Sequence, residues 1–226
     1  RVAPSHDAAQ IVSSRPNLWA SSAPNVGPLL CIGERAGHSR QQEATMSTIN
    51  IRDAHLTDCP ALGRILVAAT RHAFRGRVPE RCLAWTAEES AANWARNFKS
   101  PDTFVDGQSL FVAETPTRDV VGFALLTERV GDEVIPSARR YAHELRVLQI
   151  DPPWQRRGIG RQLVSRVARR VLAEGGSRLL VRVLAENPNH AFYRRLGAAP
   201  LGTEPYVWEG YQTEQVVYGW ETLPWS

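Results

Sequence analysis

Gln155-Arg156-Arg157-Gly158-Ile159-Gly160 is the stretch that decides the fold, because it lies between a strand-like run at residues 145–150 and an amphipathic helix that begins near Arg161. Its two glycines let the backbone approach a ligand closely. A loop that opens a helix also leaves N–H groups without partners inside the helix, at the end where the helix dipole favours an anion. Arg156, Arg157 and Arg161 add full positive charges. The stretch therefore predicts a site for a phosphate-bearing ligand.

The spacing of the glycines excludes two common phosphate-binding motifs. The stretch matches neither GxGxxG nor GxxxxGK[ST], so neither a dinucleotide fingerprint nor a P-loop is present here. A different phosphate-bearing cofactor is required. The alternative is a plain turn from strand to helix whose arginines are only solvated.

Length and charge bound the class of protein. The chain has 226 residues, which is enough for one domain, or one domain with an appendage, with a sizeable core. Its formal net charge is +4, but the arginines are spread along the chain without a polybasic block, so no nucleic-acid partner is predicted. No apolar run approaches roughly 18 residues, so no membrane span is predicted either.

The cysteines and the start of the chain bear on the compartment. Cys31, Cys59 and Cys82 are odd in number and match no metal-binding spacing, so we expect neither a disulfide framework nor a metal site. Residues 1–45 lack the apolar core of a secretory signal. Together these features predict a cytoplasmic protein in a reducing environment.

Met46 is the only methionine and divides the chain into two parts. Residues 1–45 are rich in Ser, Pro, Ala, Gly and Gln without sustained periodicity, and we expect a disordered or non-native extension there. A genuine regulatory extension is the alternative. Residues 46–226 are expected to form the folded domain.

The first half of that domain reads as strand, two helices and a hairpin. Ile49 and Ile51 indicate a first strand, and Asp58 is placed to cap the helix that follows. Thr86 and Glu89 form a capping box at the start of a second helix. Residues 110–126 then read as a hairpin whose turn lies at residues 115–119.

The second half continues with alternating elements. The helix over residues 161–173 has one apolar face and one polar face. A β-rich run at residues 178–185 should lie parallel to the strand at residues 145–150. A short helix over residues 189–196 and two closing strands follow. The predicted order is β-α-α-β-β-β-α-β-α-β-β.

Two motifs together resemble a known family. QxxGxG follows a strand that ends at residues 148–152, and Asn187-Pro188-Asn189 precedes Phe192-Tyr193-Arg194-Arg195-Leu196-Gly197. In this order, from about Glu144 to Gly202, they resemble the GNAT superfamily of acetyl-CoA-dependent N-acetyltransferases. The resemblance implies an α/β fold with a mixed, mostly antiparallel sheet, a parallel strand pair at its centre and helices on both faces.

The resemblance also implies a cofactor site for acetyl-CoA, used as a co-substrate without a metal. Backbone groups of the fourth strand would pair with the pantetheine arm, the glycine loop would hold the pyrophosphate, and Asn187, or else Asn189, would contact the arm. We favour Asn187 for that contact. The implied cofactor-binding residues are Leu148, Gln149, Ile150, Gln155, Arg156, Arg157, Gly158, Ile159, Gly160, Arg161, Asn187, Asn189 and Tyr193.

Two catalytic roles follow from the resemblance. Tyr193 matches the position of a phenol that protonates the departing thiolate, although a tyrosine there can also be simple packing. Glu144 matches the carboxylate that takes the amine proton, directly or through water. His143 is its competitor, on the opposite face of the strand by alternation. Since no Cys/His nucleophile stands out, the amine is expected to attack directly within a ternary complex.

The acceptor and the assembly are not specified by the sequence. In this fold the acceptor groove is shaped by the early helices, here residues 68–106, and by the last strands. An amine-bearing small molecule and a protein amine are both compatible with it, and a homodimer stays open. A catalytically silent acyl-CoA-binding regulatory module is the alternative to an active N-acetyltransferase.

Overall fold

A computed structural model of the chain describes residues 49–99, 109–128 and 135–223. The prediction for residues 1–45 lies outside the described residues. Within the described ranges the chain forms one seven-stranded sheet and four α-helices. The strands are β1 (Asn50–Asp53), β2 (Ser109–Glu114), β3 (Val120–Glu128), β4 (His143–Ile150), β5 (Leu179–Leu184), β6 (Ala199–Trp208) and β7 (Tyr211–Trp220). The helices are α1 (Cys59–Phe74), α2 (Ala87–Lys99), α3 (Ile159–Ala173) and α4 (His190–Arg195).

The sheet has the strand order β1-β2-β3-β4-β5-β7-β6. All neighbouring strands are antiparallel except β4 and β5, which are parallel and lie at the centre. Along the chain the elements follow the order predicted from the sequence. The predicted α/β fold with a central parallel pair in a mostly antiparallel sheet is therefore confirmed.

The central parallel pair is joined at one end only. Strands β4 and β5 share a single register pair, Glu144 with Leu180, near the start of both strands. Beyond that pair β4 stays bonded to β3 and β5 stays bonded to β7. A register shift opposite Leu125 and Leu126 leaves Arg146 as an extra residue in β4, and such a bulge bends the strand. A gap therefore opens between the carboxyl ends of β4 and β5.

Helices cover both faces of the sheet. On the α1 face, Leu62 and Ile65 of α1 and Trp94 of α2 pack with Phe123 and Val147 of the sheet. On the α3 face, the apolar side of α3 packs with side chains of β4 and β5. The fully buried side chains of α3 are Leu163, Val164, Val167, Ala168 and Val171, all on its predicted apolar face.

Local caps follow the sequence in one helix and differ in another. Thr86 and Glu89 exchange hydrogen bonds of 3.1 Å at the start of α2, as the capping box predicts. The prediction that Asp58 caps α1 is wrong, because its carboxylate makes no cap to that helix. It accepts the N–H of His55 at 2.8 Å and the Arg52 guanidinium at 2.8 and 3.0 Å instead. A nearby cation and a preceding tight turn therefore compete successfully for this carboxylate.

Candidate functional site

The loop before α3 exposes backbone N–H groups at the mouth of the helix. Gly158 precedes α3 with a φ of 79°, and Arg156 also has a positive φ, 65°. Glycine adopts this left-handed conformation without steric cost. The first hydrogen bond of the helix runs from Gln162 N–H to Gly158 C=O at 3.1 Å. The N–H groups of Ile159, Gly160 and Arg161 precede it and so have no partner within the helix.

Positive charge surrounds these N–H groups. Arg156, Arg157 and Arg161 are all exposed, and among the described residues none of them pairs with a carboxylate. The Arg157 guanidinium lies 4.8 Å from the centre of the Trp154 ring, a cation–π contact that restrains it. Dipole, free N–H groups and unpaired cations together make an anion site.

The free edge of β4 leads towards this loop. Asp151 N–H donates to Val121 C=O of β3 at 2.9 Å, so by strand alternation the main-chain groups of Ile150 and Leu148 point towards β5. There the gap replaces a strand partner. The Gln155 side chain donates to Ile150 C=O at 3.0 Å and so ties the loop to the end of β4.

Gln149 lies between these two positions and carries an unsatisfied amide. Its side chain is fully buried, and within the described residues neither Oε1 nor Nε2 has a hydrogen-bond partner. Burying an amide without partners costs roughly 1–3 kcal/mol. The sequence singled out Gln149 for its place in the strand, and its buried amide could not have been read from the chain.

The two asparagines at the end of β5 have different surroundings. Asn187 Oδ1 accepts both the N–H and the side-chain amide of Asn189 at 2.9 Å, so it shapes the turn. Asn189 is 1% exposed, and its Oδ1 has no partner among the described residues. The structure thus puts both residues beside the gap. The choice of Asn187 for a ligand contact stays a prediction.

Tyr193 lies on α4 within the core of the α3 face. It is fully buried, and its ring stacks on Tyr218 with centroids 6.2 Å apart. Its hydroxyl has no hydrogen-bond partner among the described residues. Burial raises the pKa of this phenol well above its ordinary value, and the neighbouring Tyr218 adds to the shift. The phenol therefore stays protonated.

A histidine beside Tyr193 was missed by the sequence reasoning. His190 Nε2 lies 3.1 Å from Leu184 C=O, which can only accept, so this nitrogen carries the proton. Its Nδ1 then accepts from the Tyr218 hydroxyl at 3.0 Å. Burial lowers the pKa of His190. No local signal joins two residues that are 28 positions apart.

Glu144 lies on the α1 face and is only 3% exposed. Its Oε2 accepts from Arg182 Nη1 at 2.5 Å, and Arg182 Nε also binds Glu204 Oε1 at 2.6 Å. Burial opposes the charge of Arg182, but the two carboxylates outweigh it and raise its pKa. A lone arginine in the apolar run of β5 was the available signal for this triad.

His143 is separated from Glu144 by the sheet. Its Nε2 lies 3.5 Å from a carboxylate oxygen of Glu174, at the end of α3. Predicted alternation along β4 is thereby observed, and the two candidates for a base do not share a site.

A cleft opens on the α1 face between α1, the 3-10 turn at Glu80–Leu83 and the end of β6. It encloses about 410 Å³ of empty space, including space open to solvent. Its walls are mostly apolar and aromatic. The lining residues are Leu66, Val67, Thr70, Arg71, Cys82, Leu83, Trp85 and Trp208.

Other kinds of site are not found in the part of the chain that the structure describes. No group of three or more His, Cys, Asp or Glu side chains is placed there to hold a metal ion. None of the helices in those ranges is long and apolar enough to span a membrane. Cys59 and Cys82 are buried free thiols, and burial raises the pKa of Cys59 to about 11.

Comparison with known proteins agrees with this geometry. The sequence model of the acetyltransferase (GNAT) domain matches residues 106–197, a range that includes the glycine loop, both asparagines and Tyr193. The chain belongs to the GNAT superfamily. Among curated proteins it is 25% identical over 181 residues to the uncharacterized N-acetyltransferase YuaI of Bacillus subtilis, covering 77% of this chain and 94% of that protein.

Solved GNAT structures share the fold of this chain. A GCN5-related N-acetyltransferase from Rhodopseudomonas palustris is 20% identical with a TM-score of 0.58, over 81% of this chain and 98% of the other. A GNAT superfamily phosphinothricin acetyltransferase from Sinorhizobium meliloti, in complex with acetyl-CoA, is 20% identical with a TM-score of 0.54, over 76% and 88% of the two chains. At this level of identity the likeness concerns the fold.

Proposed function

We propose that this GNAT protein transfers an acetyl group from acetyl-CoA to a primary amine by direct attack within a ternary complex. The observation that carries the proposal is the gap between β4 and β5, which leads to the N-terminus of α3. An extended ligand can pair with the free edge of β4 there, as an added strand would. Its anionic end then meets N–H groups and unpaired arginines.

The described residues fit acetyl-CoA in particular. Its pantetheine arm carries amide groups that suit the main-chain groups of Leu148 and Ile150, and its pyrophosphate suits the loop from Gln155 to Arg161. Asn189, with its unpartnered buried Oδ1, is a further polar contact for the arm. The complex of the Sinorhizobium meliloti relative with acetyl-CoA supports the same ligand.

In the proposed reaction the amine nitrogen attacks the thioester carbonyl carbon, the C–S bond breaks, and the sulfur leaves with one proton. Leu148 N–H faces the gap and is placed to donate to the carbonyl oxygen as negative charge develops on it. The amine must lose a proton, and Glu144 is the proposed acceptor of that proton, directly or through water. Arg182 holds this carboxylate in place.

Tyr193 is the proposed donor to the departing sulfur. Its raised pKa keeps the proton on the phenol, and no described group competes for that proton. A covalent acetyl-enzyme is disfavoured, because burial raises the pKa of both Cys59 and Cys82 and so suppresses their thiolates. Two buried free thiols also support our placement of the protein in a reducing cytoplasm.

Two measurements test the proposal. Calorimetry should show acetyl-CoA binding, and a thiol-release assay should show turnover that depends on an added amine. Binding without turnover across a broad amine panel would support the silent acyl-CoA-binding module instead. Loss of both signals with a folded protein would refute the proposed function.

A further inference from the structure

We propose that the acceptor is a primary amine carried by an apolar group of about the size of an aromatic ring, which lies in the cleft on the α1 face. This inference rests on the proposed acetyl transfer and names its substrate class. The cleft walls come from α1, from the segment before α2 and from the end of β6. Its volume falls in the range of about 300–1,000 Å³ that is typical of small-molecule sites.

The position of the cleft connects it to the gap between β4 and β5. Leu66 lines the cleft and also packs against the cluster that contains Val147 of β4. Trp208 lines the opposite wall and shares a cluster with Leu184 of β5. Glu144 lies on this same α1 face. An amine whose apolar group occupies the cleft would therefore have its nitrogen directed along the face that carries the proposed base.

The lining selects against polycations. Leu66, Val67, Leu83, Trp85 and Trp208 present hydrocarbon and ring surface, and no carboxylate is among the described residues that line the cleft. A spermidine or aminoglycoside would leave its extra ammonium groups without counter-charges, which is costly in an apolar site.

A single cation also lines the cleft. Arg71 donates to the carbonyl groups of Leu83 at 3.2 Å and Trp85 at 2.9 Å, which fixes the wall and adds a positive charge. That charge repels further ammonium groups and adds to the selection against polycations.

Thr70 supplies an independent sign of a ligand. Its side chain is 8% exposed, and its Oγ1 has no hydrogen-bond partner among the described residues although it lines the cleft. An empty site leaves this hydroxyl unsatisfied, whereas an acceptor with one polar atom on its apolar group would pair with it.

The test compares amines in wild type and in two cleft variants. The probes are 2-phenylethylamine, ethylamine and spermidine. In wild type, kcat/KM for 2-phenylethylamine should exceed that for ethylamine by roughly 10- to 100-fold, because burying a ring is worth about that factor. Val67→Phe fills the cleft and Trp85→Ala removes a wall, so each should lower this ratio towards one. Val207→Phe makes the same valine substitution on a side chain that is 52% exposed, and should keep the ratio.

A second readout separates this inference from the proposed function. Calorimetry with 2-phenylethylamine in the presence of CoA should show binding in wild type that weakens in Val67→Phe, with melting temperatures confirming folded proteins. Turnover of ethylamine or spermidine at ratios that ignore both cleft variants would overturn the inference and leave acetyl transfer standing. Cleft-dependent binding of 2-phenylethylamine without turnover of any amine would support the cleft and count against acetyl transfer.

Discussion

The phenol of Tyr193 can be tested by removing one atom. Tyr193→Phe keeps the ring stacked on Tyr218 but loses the hydroxyl, so kcat should fall roughly 100-fold if the phenol protonates the thiolate. Acetyl-CoA affinity should hardly change. The measurements are kcat with one confirmed amine and the calorimetric dissociation constant.

The same substitution has a second outcome that does not depend on catalysis. Since the hydroxyl is buried without a described partner, its loss should leave the melting temperature unchanged or slightly raised. Tyr218→Phe is the control, because it removes a hydroxyl that does bond, to His190 at 3.0 Å, and should lower the melting temperature. Full activity of Tyr193→Phe at every pH would remove the phenol from the mechanism.

Glu144 and Glu204 form a matched pair for testing the base. Both bind Arg182, at 2.5 and 2.6 Å, so Glu144→Gln and Glu204→Gln each remove one carboxylate from the same guanidinium. If Glu144 takes the amine proton, only Glu144→Gln should lower kcat strongly near neutral pH, by roughly 100-fold. The deficit should shrink at high pH, where the free amine is already abundant. A pH–rate profile of both variants gives the answer, and equal deficits that ignore pH would make Glu144 a structural partner of Arg182.

At the level of single elements, the N-terminus of α3 should bind the anionic end of the cofactor. Arg161 and Arg169 are both exposed on this helix, but only Arg161 lies in its first turn. Arg161→Glu should weaken acetyl-CoA binding by about 10-fold at low salt, and less at high salt, because exposed charges are screened. Arg169→Glu changes net charge equally and should bind nearly as wild type does. Equal affinity of the two variants in calorimetry would argue against the α3 site.

The start of α4 should make stability depend on pH. Burial lowers the pKa of His190 from its ordinary value of 6.5, so the unfolded chain takes up this proton more readily than the folded chain. The stability that neutral His190 contributes is thus full above pH 6.5 and is lost as pH falls towards the folded value. His190→Gln can still donate to Leu184 C=O and accept from Tyr218, without titrating.

The measurement for α4 is the free energy of unfolding of wild type and His190→Gln from pH 8 to pH 5. The advantage of wild type over the variant should shrink below pH 6.5. A difference that stays constant across this range would show that His190 does not titrate with folding.

The elements could be predicted where the signal is local. The apolar face of α3 and the capping box of Thr86 and Glu89 depend on neighbours within four residues, and both are observed. Asp58 was mispredicted as the cap of α1 because a more distant cation, Arg52, binds it. The order of strands followed from alternation and crossover rules. The sequence does not reveal how far β4 and β5 separate, since a single bulge at Arg146 directs it.

At the scale of the whole molecule, the site combines segments that no spacing rule connects. The glycine loop was visible because it is contiguous. The cleft was not, because it joins Cys82 to Trp208, whose side chain and backbone meet at 3.3 Å across 126 positions. Likewise the Glu144–Arg182–Glu204 triad needs β6 to fold back beside β7. Long-range pairings of this kind decide the acceptor, whereas the local loop decides the cofactor.

The last prediction concerns which part of the chain is required. All seven strands, the helices on both faces and every proposed site residue lie between residues 50 and 223. We therefore expect a protein that begins at Met46 to bind acetyl-CoA with unchanged affinity and to melt within a few degrees of the full chain. Calorimetry and thermal melting of the two proteins make the comparison, and 2-phenylethylamine turnover adds the acceptor side. A lower melting temperature would show that residues 1–45 stabilise the domain, and altered turnover with unchanged melting would indicate the regulatory extension instead.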